Sequence, residues 1–141
     1  LDKLLDIPAD QKEIVKQGSC KYSIRIAYQT PVKIDYNGTE TEALASTFED
    51  CLIYTNLQLF KNISVDDTGS LIKKVSDKIK SASSFEEFHQ GVYDVLRNGR
   101  SDQKAEFALD LIYAVDPSKL SVPVYIDEGL VWLQDYLSPE E

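Results

Sequence analysis

Hydrophobic positions along the chain follow two different periods, and the change between them divides the chain. Over residues 22–28, apolar residues alternate with smaller or polar ones, which predicts a β-strand with one buried face. Residues 32–36 and 39–43 flank Asn37-Gly38, a pair typical of a tight hairpin turn. From residue 46 onward the period becomes helical. The pattern predicts an α+β fold, with a strand and a hairpin followed by about five helices.

The helical part divides at glycines, prolines and serines. The first helix is predicted to begin at Ser46, where Glu49 three residues later would complete a capping box. The segment from Leu1 to Gln17 is interpreted as short helical turns. The residues predicted to line the apolar faces of the five helices are, in order, Phe48, Cys51, Leu52, Thr55 and Leu59; Leu71, Ile72, Val75 and Ile79; Phe85, Phe88, Val92, Val95 and Leu96; Phe107, Ala108, Leu111, Ile112 and Val115; Ile126, Leu130, Leu133 and Leu137.

Composition narrows the class of protein. The chain has 141 residues, of which 43% are hydrophobic, and a net charge of −9. No apolar run is long enough to span a membrane, and two cysteines do not make a secreted disulfide framework, so we expect a cytoplasmic protein. The acidic charge argues against DNA binding by this chain alone, because phosphate contacts dominate that affinity. Since the chain begins at Leu1 and contains no methionine, we expect it to be part of a longer protein.

Four stretches of the sequence form a recognisable series. They are RIAYQT at residues 25–30, TFEDCLIYTN at 47–56, KAEFALDL at 104–111 and VPVYIDEGLVWL at 122–133. In this order they resemble the C-terminal region of OLD-family nucleases, which carry an ABC-type ATPase domain followed by a Toprim nuclease domain. The resemblance implies that this chain is a fragment of an α/β Toprim domain. Residues 1–62 would then be the trailing part of the nuclease domain, and residues 63–141 a helical region packed on it.

The same resemblance implies a chemistry and its residues. OLD-family nucleases cut phosphodiester bonds in DNA with divalent metal ions, and oxygen ligands suit Mg²⁺ or Mn²⁺. By position in the motifs, Glu49 would bind metal, Asp50 is an adjacent candidate ligand, and Lys104 would assist catalysis near the scissile phosphate. ATP would bind a separate domain outside this chain, and the parent protein would be a possible homodimer. The Toprim glutamate and the Asp-x-Asp motif that usually precede this region are not in the sequence, and residues 31–45 replace a shorter turn.

Simpler interpretations exist for each of these residues. Glu49 also fits a helix cap, and Lys104 also fits a solvated surface lysine, although a lysine in the first turn opposes the helix dipole. No catalytic pattern surrounds His89 or Cys51, so His89 is interpreted as a surface or boundary residue and Cys51 as a core residue. The alternative function is a non-catalytic acidic interaction or scaffold domain. The nuclease interpretation predicts that Glu49 and Lys104 open onto one groove at the edge of the small sheet, whereas the scaffold interpretation leaves them unrelated.

Overall fold

The computed structural model describes residues 9–16, 19, 22–64, 70–98 and 101–138. The backbone groups these residues into two compact units. One unit contains the described residues up to Thr30 and those from Val122 onward, and the other runs from Pro31 to Ser121. These units do not follow the predicted boundary after residue 62. That boundary concerned which residues belong to a nuclease domain, and it stays a prediction.

The first unit contains a two-stranded sheet and one helix. A 3-10 turn at Ala9–Lys12 leads into strand β1, Glu13–Lys16, which pairs antiparallel with β2, Tyr22–Arg25. Helix α6, Val124–Leu137, begins directly after Pro123, next to the predicted start. The helical turns predicted before residue 17 are wrong over β1, because Ile14 and Val15 favour the extended conformation that pairing with β2 stabilises. Residues 1–8 and 17 of that prediction lie outside the described residues.

The second unit opens with the predicted hairpin. Strand β3, Val32–Tyr36, pairs antiparallel with β4, Thr39–Ala43, in a register that places Tyr36 opposite Thr39. At the turn, Asn37 has φ 53° and Gly38 has φ 82°. Asparagine and glycine adopt this left-handed conformation more readily than other residues, so the hairpin follows from local sequence and is confirmed.

Five helices complete the second unit. They are α1, Phe48–Thr55; α2, Leu57–Asn62; α3, Leu71–Ser81; α4, Phe85–Asn98; and α5, Ser101–Ala114. A 3-10 turn at Pro117–Lys119 follows. The sequence predicted α1 and α2 as one helix. The chain instead breaks at Asn56, whose side-chain amide donates to the Leu52 and Ser121 carbonyls at 3.0 and 2.8 Å.

The core of the second unit is aromatic and aliphatic. Tyr36 of the hairpin stacks on Phe88 of α4 with ring centroids 5.1 Å apart, and Phe60 of α2 stacks on Phe107 of α5 at 6.0 Å. Aliphatic side chains fill the space between the helices: Ile53, Ile72, Val75, Ile79, Val92, Leu96 and Leu111 are all buried. Most of the predicted apolar faces of α1, α3 and α4 are therefore core.

The predicted faces of α5 and α6 need correction. On α5, Phe107 and Leu111 are buried as expected, whereas Ala108 is exposed and Ile112 is 64% exposed. On α6, Leu130 and Leu133 were expected in the core and are 57% and 43% exposed. Helical periodicity identifies an apolar stripe correctly, but it carries no information about whether another element covers that stripe.

The described residues form an α+β protein, as the sequence predicted. Small antiparallel sheets come first in the chain, and six α-helices follow. The strand predicted over residues 22–28 ends at Arg25 and pairs with β1, and its predicted buried face is wrong, because Tyr22, Ile24 and Ile26 are 40%, 51% and 54% exposed. None of the described helices combines the length and the apolar character that crossing a membrane requires.

Candidate active site

The start of α1 holds the residues that the TFED motif contributes. Thr47 is the N-cap, and the Asp50 backbone N–H donates to its hydroxyl. The Asp50 carboxylate accepts from the backbone N–H of Thr47 at 2.6 Å and of Ser46 at 2.8 Å. The predicted capping box of Ser46 with Glu49 is therefore wrong by one residue. Thr47 and Asp50 form the box, and Glu49 is an acidic residue of the first turn.

Glu49 lies beside Lys104. The Lys104 ammonium Nζ is 3.5 Å from Glu49 Oε1, and the two side chains are 40% and 17% exposed. Partial burial acts to raise the pKa of Glu49. Hydrogen bonds from its own backbone N–H and from Thr47, together with the Lys104 charge, outweigh that effect and lower the pKa below its ordinary value. Glu49 is thus a carboxylate at neutral pH.

Lys104 is in the first turn of α5, as predicted. A positive charge there opposes the helix dipole by a few tenths of a kcal/mol or more. Its partly exposed ion pair with Glu49 is of a kind that contributes only about 0–1 kcal/mol to stability. Helix stability therefore gives little reason for a lysine at this position.

A groove of about 510 Å³ opens next to this pair. Among the described residues, Lys104 lines this groove together with Ser46, Thr47, Asp50, Tyr93, Leu96 and Arg97. Glu49 adjoins the groove through its contact with Lys104. The sequence correctly predicted that Glu49 and Lys104 come together, but of the two only Lys104 lines the groove. It was wrong about the sheet edge, because the walls come from the segment before α1 and from helices α1, α4 and α5.

Asp50 has a different environment from its neighbour. It is buried, and besides Ser46 and Thr47 it accepts a hydrogen bond from the Cys51 backbone N–H at 3.0 Å. These donors occupy both carboxylate oxygens. The hydrogen bonds assign Asp50 a structural task at the helix start, and a metal-binding role for it stays a prediction.

The fit of a divalent metal ion rests on Glu49. Its ionised, partly accessible carboxylate is the kind of hard oxygen ligand that Mg²⁺ and Mn²⁺ prefer. In the part of the chain that the structure describes, no group of three or more His, Cys, Asp or Glu side chains is placed to hold a metal ion. Glu49 has the chemistry of a single metal ligand, and a metal-binding role for it stays a prediction.

Arg97 and Tyr93 are groove residues that sequence reasoning missed. They are one helical turn apart on α4, and the Arg97 guanidinium lies 5.7 Å from the centre of the Tyr93 ring. The signal in the sequence was only the four-residue spacing of a tyrosine and an arginine. Nothing in it indicated that the turn faces Lys104 across a groove.

His89 and Cys51 lie elsewhere. Cys51 is buried on α1, and burial raises the pKa of its thiol. His89 Nδ1 is 2.7 Å from the Tyr54 hydroxyl, among the aromatic rings of the core. Neither lines the groove, and the burial of Cys51 and the half-buried position of His89 agree with the core and boundary positions predicted for them.

The first and last motifs pack on each other within the first unit. Glu128 of α6 accepts hydrogen bonds from Arg25 of β2 and from Lys12, whose Nζ is 3.3 Å from Glu128 Oε2. A Cβ atom at Gly129 would lie 3.3 Å from the Ala27 Cβ, so the absence of a side chain allows this close approach. These motif residues therefore hold α6 against β2.

Comparison with known proteins gives one informative similarity. No protein-family model matches the chain, and no solved structure matches it. The chain is 32% identical over 116 residues to Endonuclease GajA of Bacillus cereus strain HuB5-5. The match covers 77% of this chain but only 16% of the length of that endonuclease. The chain is thus similar over most of its length to a small part of a nuclease, which supports the nuclease resemblance of its motifs.

Proposed function

We propose that this chain is the C-terminal part of a DNA endonuclease of the OLD family, with a Toprim-type, metal-dependent site. The observation that carries the proposal is the 3.5 Å contact between Glu49 and Lys104 beside an open groove. The two residues are 55 positions apart in the sequence and belong to separate motifs. The similarity to Endonuclease GajA supports the same class of activity.

The two side chains suit hydrolysis of a phosphodiester. Glu49 would contribute one carboxylate to an Mg²⁺ or Mn²⁺ ion, which polarises the phosphate and supplies an activated water when bound. Lys104 would bind a non-bridging oxygen of the scissile phosphate and stabilise the negative charge that develops there. Asp50 would hold the start of α1 in place and so fix the position of Glu49. A direct ligand role for Asp50 is the secondary possibility.

The remaining parts of this enzyme would come from outside the chain. The missing metal ligands belong to the upstream half of the Toprim domain, and ATP would act on a separate ABC-type domain. We propose a cytoplasmic protein that binds DNA, with a homodimer as the possible assembly. The scaffold alternative is less well supported, because it gives no reason for Glu49 and Lys104 to adjoin the same groove.

Plasmid cleavage tests the proposal. The intact protein should nick or cut plasmid DNA in Mg²⁺ or Mn²⁺ and should stop when EDTA removes the metal. The 141-residue chain alone should not cut under the same conditions, because its metal site lacks ligands. A pure intact protein that never cuts DNA would support the scaffold alternative, whereas cutting that persists in EDTA would contradict the metal dependence of the proposed site.

A further inference from the structure

Arg97 projects from the last turn of α4, in the wall of the groove that Lys104 also lines. Within the described residues, its guanidinium is paired with Tyr93 and not with a carboxylate. It donates to the Tyr93 hydroxyl at 3.2 Å and lies 5.7 Å from the ring centre. The arginine is exposed, so these contacts hold a long side chain in one direction while leaving other guanidinium N–H groups accessible.

The groove therefore has two cations of different kinds. Lys104 has Glu49 as its counter-charge, whereas Arg97 has an aromatic ring. Ser46, Thr47 and the buried residues Asp50 and Leu96 also line the groove, and the Thr47 hydroxyl donates to the Asp50 carboxylate at 3.0 Å. Two cations in the lining, one of them held against an aromatic ring, are chemically suited to contacts with a sugar–phosphate backbone.

We infer that Arg97 binds a phosphate of the DNA backbone next to the scissile one, and that Tyr93 positions its guanidinium for that contact. The inference rests on the proposed nuclease function and adds a substrate-binding residue that the motifs did not indicate. An arginine suits this task because its planar group donates two parallel hydrogen bonds to phosphate oxygens. Arg97 holds the strand, and Lys104 acts at the bond that is cut.

The alternative explanation for Arg97 is local. A positive charge in the last turn of α4 is favourable to the helix dipole, and this requires no ligand. The two explanations differ in what happens to DNA affinity when the charge is removed. A dipole role changes stability alone, whereas a phosphate contact changes affinity and its dependence on salt.

The experiment compares variants of the intact protein. Binding of a short fluorescein-labelled DNA duplex is measured by anisotropy in EDTA at several salt concentrations, and cleavage is measured separately in Mg²⁺. Arg97→Ala should weaken binding about tenfold. It should also lower the slope of log affinity against log salt by about one, as loss of one phosphate contact does. In cleavage it should raise KM more than it lowers kcat.

Two further variants make the result specific. Arg97→Lys keeps the charge, so its DNA affinity should lie between that of the wild type and that of Arg97→Ala. Tyr93→Phe should weaken DNA binding by a smaller factor than Arg97→Ala does. Lys119→Ala removes an exposed positive charge outside this groove and should leave binding and cleavage unchanged. Circular dichroism confirms that each variant is folded.

The outcomes separate this inference from the proposed function. Normal binding, salt slope and KM in Arg97→Ala, with cleavage lost in Lys104→Ala, would refute the phosphate contact and leave the nuclease function standing. Normal cleavage in both variants would refute the catalytic role of Lys104 and this inference with it, whereas a wild-type protein that does not cleave DNA would refute the nuclease function itself.

Discussion

Glu49 keeps its negative charge through contacts that outweigh its partial burial. Because its pKa is lowered in the folded protein, we expect its carboxyl to titrate at a lower pH than an ordinary glutamate. The ion pair with Lys104 is then intact at neutral pH. It is lost, with its contribution to stability, as the pH falls through the lowered folded pKa.

Carboxyl carbon NMR across an acid titration measures this directly. Lys104→Ala should shift the Glu49 midpoint upward, since the neighbouring positive charge is one cause of the lowered pKa. Lys119→Ala should leave the midpoint where it is. A Glu49 midpoint above that of an ordinary glutamate would contradict the described environment.

Replacing Asp50, unlike replacing Glu49, should mainly change the stability of the folded protein. It is buried and accepts hydrogen bonds from three backbone N–H groups at the start of α1. Asp50→Ala should lower the free energy of unfolding by about 2 kcal/mol, because buried donors lose a charged acceptor. Urea denaturation checks this, with Asp127→Ala, an exposed aspartate in the first turn of α6, as control. Equal stability of the two variants would mean that the cap does not form.

At the scale of elements, α6 is held on β2 by charge as well as by shape. Arg25 and Lys12 both donate to Glu128, and each of the two cationic side chains is 11% exposed. Burial acts to raise the pKa of Glu128, and the hydrogen bonds from Arg25 and Lys12 outweigh it, so the pKa is lowered. The carboxylate is therefore ionised at neutral pH and forms ion pairs with two largely buried cations.

Removing this carboxylate should destabilise the first unit. Glu128→Ala is expected to lower the free energy of unfolding by about 1–3 kcal/mol, the usual range for hydrogen bonds to charged groups. Asp135→Ala removes the same charge from an exposed position of the same helix and should have little effect. Thermal denaturation compares the two. A Glu128 variant as stable as the Asp135 variant would show that packing alone holds α6.

The elements also show which sequence signals were sufficient. The β3–β4 hairpin was predicted to the residue, because Asn37-Gly38 fixes a turn through backbone conformation alone. Strand β1 was missed, because a four-residue strand has too few positions to establish a period. The break at Asn56 depends on a hydrogen bond to Ser121, 65 residues away, which no local pattern predicts.

At the scale of the whole molecule, the candidate site was predictable in part. Motif resemblance identified Glu49 and Lys104, and the structure brings the two together. The groove itself, with Tyr93 and Arg97, depends on how α4 packs relative to α1 and α5, so the sequence did not indicate it. The burial predicted for Leu130 and Leu133 was wrong for a similar reason, since the sequence of an apolar helix face does not show whether another element packs on it.

Two properties of the whole chain concern its function: its acidic net charge, and the small part of the related endonuclease that it matches. The chain matches 16% of the length of Endonuclease GajA, and its net charge is −9. A nuclease needs basic surface for DNA and several metal ligands. We therefore expect the groove to function within a larger protein, where Glu49 and Lys104 complete a site built mostly by other residues.

Single-turnover cleavage of DNA by the intact protein tests the central claim, that Glu49 and Lys104 act together at one site. Glu49→Ala and Lys104→Ala should each reduce the rate at least about a hundredfold, the range for loss of one charge-stabilising group. Two control variants should cut at the wild-type rate. They are Glu86→Ala, which changes the second residue of α4 as Glu49→Ala changes the second residue of α1, and Lys119→Ala. Folded Glu49 and Lys104 variants that cut as fast as these controls would contradict the assignment.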